Sequence, residues 1–418
     1  MKHSPNQAGK AVGSENPLAH TRTRTTPELG SPAKDPPTGA DGLNRRNLLK
    51  AATLFGGGGL VAQVMAPAVS LAQQPAQSVA RGAAGAGRLD PKDVLAKARE
   101  RLYPTCRVCP VCNGVACSGD GGGIAGSGSG MSFQNNFTAL ERVKILMRNV
   151  HEVRKVDPST TIFGRRIAFP AVAAPMGPAA TRFGKGMTQQ EWFDALVGGC
   201  VAAGTLGSVG DDLRYPEADV KRNLSVIGQY KGQALYNSKP AANSIILKWL
   251  PLIEETGAAW LSIDVDSGPK SLAELRELAK AFKTPIVIKG IMTVDDALRC
   301  IDAGIAGIAV SNHGGRRQDH AAGIAEVLPA IAAKLKGKVP ILADGCVSSG
   351  TDVLKYLALG ADVVMVGRHI LRAAYGAGPE GVALFMNRMR AEFESAMLLT
   401  GVPDVTGIDS NILYAQRG

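Results

Sequence analysis

Read for the spacing of its apolar side chains, the chain changes character near Leu89. Ahead of that point residues 1–43 are rich in Pro, Ser, Thr and Gly and carry no sustained period, so no regular element is expected in them. From Pro91 to Leu102 the pattern is that of a short helix. A second helix is expected from Phe137 to Val150, where Leu140, Val143, Ile145, Leu146 and Val150 fall on one face. Between the two, Cys106 to Gly130 is rich in Cys and Gly and reads as a loop, with Gly121 to Gly130 a candidate flexible lid.

Past Thr161 the period switches. Short β-branched runs occur at Ile167–Pro175, Ala203–Val209, Leu224–Tyr230, Ala259–Asp266, Pro285–Lys289, Gly307–Asn312, Val339–Asp344 and Ala361–Gly367. Stretches of helical period lie between runs at Leu272–Phe282, Val294–Ala303, Ile324–Leu335 and Thr351–Leu359, as parallel strands joined by crossover helices require. Eight strand-helix units fit a closed (β/α)8 barrel, a fold of about 250 residues, better than an open doubly wound sheet. No Gly-x-Gly-x-x-Gly turn follows the first run, which removes the usual mark of a dinucleotide fold. The expected organisation is a leader over residues 1–72, a linker with helices and the Cys/Gly-rich segment over 73–160, and an α/β TIM barrel over 161–418.

Composition leaves room for an ordinary core, with 45% hydrophobic and 20% charged residues in 418. A net charge of +11 would suggest nucleic acid, but residues up to Arg88 hold ten Lys or Arg against four Asp or Glu. More than half of the excess therefore lies ahead of the folded body, and aromatics at 5% are too sparse to stack single strands, so no nucleic-acid partner is expected. The front end also carries Arg45-Arg46, then Leu48-Leu49-Lys50, then a weakly apolar stretch from Ala51 to Ala72 with glycines at 56–59. This resembles a bacterial twin-arginine export signal with small residues at Ala66, Ala68 and Ala72 for cleavage, and implies delivery to the periplasm in the folded state. Gln63 and Pro67 inside the stretch argue against a membrane anchor.

In a barrel of this kind chemistry belongs at the carboxyl ends of the strands. Lys289 ends the fifth run, Ser311-Asn312-His313-Gly314-Gly315-Arg316 the sixth, Asp344-Gly345-Cys346 the seventh and Gly367-Arg368 the eighth. Glycines after the last two runs let backbone N–H groups approach an anion, and Arg368 adds a charged fork, which together suit a phosphate. His313 beside two glycines is open to a ligand, and Arg316 can grip a carboxylate bidentately while the imidazole takes a proton. The plainer alternative for such a pair is a hydrogen-bonded core histidine and a surface arginine.

Pro285 to Gly290, Val310 to Arg316, Asp344-Gly345, Gly350 to Lys355 with Leu359 to Asp362, and Gly367-Arg368 together resemble the FMN-dependent α-hydroxy-acid dehydrogenase/oxidase family, over about residues 161–412. The resemblance implies an FMN enzyme that converts a 2-hydroxy acid to a 2-oxo acid and gives the electrons to oxygen, a quinone or a cytochrome. It implies that His313 is the base, Arg316 the carboxylate ligand and Asp266 the group that orients His313. Lys289 would sit beside the flavin N1/O2 edge, where negative charge develops. Ala173, Ala174 and Pro175 would line the ring, Ser208, Gln233 and Ser311 would contact the cofactor, and Asp344, Gly345, Gly367 and Arg368 would hold the ribityl chain and phosphate. Tyr236 is a candidate for a substrate-contacting tyrosine of the family, and a homotetramer is the implied assembly. An FMN-dependent isomerase of the type II isopentenyl-diphosphate kind, and a flavin carrier without catalysis, are the two rivals.

The chain departs from the family in two places. Ser348 stands where a second phosphate-binding arginine is common, and the family's N-terminal tyrosine has no counterpart. That region instead carries Cys106-x2-Cys109-x2-Cys112-x4-Cys117. Four thiols so spaced can close around an iron-sulfur cluster, the last step being one residue longer than in the bacterial ferredoxin run; they can also hold a tetrahedral zinc or pair as two disulfides. Cys200, Cys300 and Cys346 read as small buried apolar residues.

Overall fold

Val- and Ile-rich runs form strands because branched side chains pack well on a pleated surface, and runs apolar on both faces suit a sheet covered on both sides. A computed structural model describes residues 89–120, 124–177 and 183–414; the expected leader and the first residues of the candidate lid lie outside them. An antiparallel hairpin, β1 (Thr160–Ile162) and β2 (Arg165–Ile167), precedes eight parallel strands. These are β3 (Ala171–Ala173), β4 (Gly207–Asp211), β5 (Ala234–Ser238), β6 (Leu261–Asp264), β7 (Ile286–Ile291), β8 (Gly307–Val310), β9 (Ile341–Ala343) and β10 (Val363–Val366). Their order is β3-β10-β9-β8-β7-β6-β5-β4. The two ends of that sheet meet where the Ala173 N–H donates to the Leu206 carbonyl (3.1 Å) and Ser208 Oγ donates to the Ala174 carbonyl (2.9 Å). The result is a nearly closed (β/α)8 barrel.

The hairpin seals one end. Ile162 and Ile167 are buried in an interior cluster with Val172, Trp260, Val287 and Leu342, and the Phe163 ring lies 5.5 Å from that of Trp260. These residues sit at or near the strands' amino ends, so only the carboxyl end is left open for chemistry.

Helices at Pro91–Leu102 and Ile324–Leu335 have the expected bounds, those at Leu272–Ala281 and Val294–Asp302 end one residue early, and Gly350–Ala358 is shifted by one residue at both ends. The third expected strand does not exist. Leu224–Tyr230 lies in and just beyond the helix Glu217–Gln229, where Val220, Leu224 and Ile227 form one buried face at helical spacing. The strand is β5 instead, hidden from a hydrophobicity reading by Asn237 and Ser238. The expected helix 137–150 is displaced to Met131–Arg142. Val143 turns extended (φ −70°, ψ 115°), and the Leu146 N–H donates to the Ile412 carbonyl (2.8 Å), so this segment pairs with the C-terminal tail.

Helix Pro91–Leu102 is capped by Asp90, whose side chain accepts from the Lys92 N–H (2.8 Å). It packs on the helix Arg368–Thr400 so closely that a Cβ on Gly376 would lie 2.2 Å from the Val94 carbonyl. That last helix is interrupted at Ala377 and Gly378, before Pro379. Among the described residues no helix is long and apolar enough to cross a membrane.

Candidate active site

Strand register brings the charges together. Asp264 at the end of β6 pairs with Lys289 on β7, whose side chain is 4% exposed. Lys289 Nζ lies 3.1 Å from Asp264 Oδ1 and 4.0 Å from both Asp266 Oδ2 and Asp344 Oδ2. Burial works against that ammonium, but Asp264, Asp344 and Asp266 outweigh it and hold its pKa above the ordinary lysine value. Lys239 Nζ donates to the other Asp264 oxygen at 2.5 Å. Burial opposes the Asp264 charge too, yet Lys289, His313 and Lys239 keep that carboxyl below its usual range. Asp264, Asp266 and His313 present ligand atoms within 4.8 Å of one another, a spacing a metal ion could use, but the two ammonium groups already supply the positive charge there.

His313 opens a single 3-10 turn, His313–Gly315, in the left-handed region at φ 59°. For a non-glycine residue that conformation costs roughly 1–2 kcal/mol, and such strain gathers at functional sites. The surroundings enforce it. Ser311 Oγ accepts the His313 N–H (3.1 Å), and Asn312 Oδ1 accepts the Gly315 N–H (3.0 Å). Asn312 is in turn paired side chain to side chain with Asn136 at 2.8 and 3.0 Å. Gly315 must be glycine, since at φ 79° an added Cβ would lie 2.3 Å from the Phe133 backbone nitrogen. The imidazole Nδ1 lies 2.9 and 3.1 Å from the two Asp266 oxygens. Burial, then the Lys289 charge, hold His313 down to about 4 despite the pull of Asp266. The imidazole is therefore neutral near pH 7 and able to accept a proton.

A cavity of about 340 Å³ fills the carboxyl end of the barrel. Its wall includes His313, Arg316, Lys289, Asp344, Ala174 and Pro175, with Gly345, Gly367 and Arg368 at the end expected to hold phosphate. Other expected residues stand elsewhere. Ala173, Ser208 and Ser311 are buried beneath the wall, and Ser208 and Ser311 spend their hydroxyls on the Ala174 carbonyl and on Asp344 Oδ2 (2.7 Å). Gln233 is exposed at the amino end of β5, far from the cavity. Tyr236 is buried, its hydroxyl donating to Asp211 Oδ2 (3.2 Å); its neighbour Asn237 lines the cavity instead, because successive strand residues face opposite sides. Asp266 is not in the wall but directly behind His313. Arg368 does line the cavity, yet its Nε donates to the Ile124 carbonyl and its Nη2 to the Gly314 carbonyl, both at 2.8 Å, so it straps the His313 turn to the Cys-rich segment. Ser348 is turned away to Asp352, donating from N and Oγ at 2.9 and 2.8 Å.

Sequence reading missed Asp264, Lys239 and Asn237, and also Asp211, which lines the cavity and which burial pushes up to about 6. The four N-terminal cysteines are free thiols, as are Cys200, Cys300 and Cys346.

A flavin mononucleotide can be tested against this wall. Asp344 Oδ1 is buried without a hydrogen-bond partner, which leaves an acceptor ready for a hydroxylated chain, and it sits beside the glycines at the strand ends. Lys289 adds a buried cation to the same wall, which suits a ring that gains electrons. The residues present fit the group.

The sequence profile of the FMN-dependent dehydrogenase family matches residues 124–268 and 217–415. A 2-hydroxyacid oxidase of Dictyostelium discoideum is 32% identical over 330 residues, covering 70% of this chain and 85% of that protein. An L-lactate oxidase of Lacticaseibacillus rhamnosus is 33% identical over 309 residues, covering 66% and 84%. The crystal structure of mandelate oxidase superposes with a TM-score of 0.63 at 26% identity, covering 79% of this chain and 99% of that one. With barrel, charged strand ends and profile in agreement over most of its described length, the chain belongs to the FMN-dependent dehydrogenase family.

Proposed function

We propose that the protein oxidises a short 2-hydroxy acid to the 2-oxo acid with bound FMN, His313 receiving a proton from the substrate and Arg316 gripping its carboxylate. The observation that carries the assignment of roles is the imidazole braced by Asp266 at 2.9 Å, in a cavity wall that also contains Arg316. When bound, the flavin supplies the two-electron acceptor. The chain's residues do the rest. Asp266 fixes the imidazole tautomer and stabilises its cation once the proton arrives, as a base-orienting carboxylate does elsewhere. Lys289 offsets negative charge at the acceptor, with Asp264 and Asp344 holding it in place. Arg316 is supported from one side by the Phe183 ring, 5.6 Å from its guanidinium carbon, which favours a planar two-point grip on a carboxylate.

Mixing the purified holoprotein anaerobically with a panel of short 2-hydroxy acids tests this. At least one acid bleaches the visible flavin band of the wild type, whereas His313→Asn keeps its FMN and bleaches on the order of 10²–10⁴ times more slowly. Silence with every acid would overturn the reading.

A further inference from the structure

Outside the active site the most unusual grouping is the N-terminal cysteine segment, and three observations bear on it. First, Cys106, Cys109, Cys112 and Cys117 all line one small hollow beneath the helix that begins at Arg368. Second, Arg372 of that helix is 5% exposed and points into the same hollow. Its Nη2 donates to Cys112 Sγ (3.0 Å) and its Nη1 to the Cys109 carbonyl (3.4 Å), while its Nε is buried with no partner. Among the described residues no carboxylate lies within ion-pair distance of this guanidinium. A buried cation without a counter-ion costs several kcal/mol, so the hollow calls for an anion. Third, the Cys-x2-Cys-x2-Cys-x4-Cys spacing sets the four thiols on one short loop, and the group they hold is decided by how far apart it keeps them. A single tetrahedral zinc at about 2.3 Å from each thiolate would draw the sulfurs to about 3.8 Å from one another. A cubane holds its thiolates further apart, because each binds a separate iron at its own corner.

We propose that Cys106, Cys109, Cys112 and Cys117 hold a [4Fe–4S] cluster, with Arg372 beside it, and that this cluster is the exit for electrons from the flavin cavity. Four thiolates around a cubane carry net negative charge, which answers the unpaired guanidinium. The hollow adjoins the flavin cavity directly: Cys112, Ile124, Phe133 and Arg368 line both. The electron route rests on the FMN reading above, but the cluster site does not. Oxidation of one hydroxy acid releases two electrons and two protons. The electrons leave singly through the cluster, whose iron alternates between oxidised and one-electron-reduced levels, to two one-electron acceptors of the haem-protein class; the protons pass to water. The chain would then be a dehydrogenase, unlike its relatives named oxidases.

The test uses the full chain purified without oxygen. About four irons and four acid-labile sulfides per chain are expected, with a paramagnetic cluster signal after dithionite and the same signal after a hydroxy acid that bleaches the flavin. Cys109→Ser and Cys117→Ser, at half-buried positions, are expected to lose most of the iron and sulfide while keeping FMN and substrate bleaching; Cys300→Ser, a buried thiol on a distant helix, is expected to retain both. Electron delivery to ferricyanide, a one-electron acceptor, is expected to fall at least tenfold in the two cluster variants. Zinc without sulfide, two disulfides in the isolated wild type, or iron unchanged in Cys109→Ser would overturn the cluster. Iron and sulfide present with no bleaching by any acid would leave the cluster standing and sink the proposed function. A cluster that hydroxy acid never reduces, in a protein whose flavin bleaches, would overturn the electron route.

Discussion

His313 is where a single group sets the behaviour of the enzyme. Its pKa is lowered from 6.5 to about 4, so the free enzyme keeps a competent base down to mildly acid pH. The expected outcome is a log kcat/KM that is flat on this limb above about pH 5 and falls with unit slope below about pH 4, measured by initial rates against pH. The same shift bears on folding. The unfolded chain takes up this proton near 6.5 and the folded one only near 4, so the stability contributed by the neutral imidazole is complete above the first value and drains away as the pH drops towards the second. Asp266→Asn leaves the ring without a partner for its cation and is expected to slow anaerobic bleaching by about 10²–10⁴ while FMN stays bound. Arg316→Lys keeps the charge but loses the planar fork, so KM is expected to rise roughly tenfold or more with a smaller change in kcat.

At the scale of elements, the turn after β8 carries the sharpest constraint. Gly315→Ala would push a methyl against the backbone of Ser132 and Phe133 at φ 79°, and since all three nearest atoms are main chain none can easily yield. A loss of more than about 1 kcal/mol is expected, seen as a lower urea midpoint, together with weaker FMN binding because His313 shares the turn. This is also the scale at which legibility divides. Lys289, His313, Arg316 and Arg368 are readable because each is a charged or titratable group at or just past the end of a β-branched run, where apolar residues are the rule. Asp264 gives no such signal: it lies two residues from Asp266, and only the register with Lys289 shows that it faces the ammonium more closely. Tyr236 and Asn237 are separated by one position, hence by opposite faces, and a run misplaced onto the neighbouring helix leaves the facing of β5 undetermined. Eight strands can be counted from the sequence, yet one of them is read from a helix whose buried face is rich in branched residues.

For the whole molecule, cavity and barrel stability are linked through the flavin. A ligand that binds only the folded form adds about 2.7 kcal/mol at a hundredfold excess over its Kd, so FMN added to stripped protein is expected to raise Tm by several degrees in a thermal scan. Among the described residues the hairpin covers the barrel's amino end and the cavity lies at the carboxyl end. Arg368 and Arg372 are four residues apart on the first turns of the last helix, and therefore on one of its faces. The first straps the His313 turn and the second meets the thiols of the N-terminal segment. A residue inserted just ahead of Arg368 would rotate both arginines by about 100° together, whereas one inserted between them would break their shared face. Within the N-terminal loop Cys112 and Ile124 line both chambers, whereas Cys109 and Cys117 line the smaller hollow and not the larger cavity, so these two thiols can be exchanged without reaching the wall that holds His313.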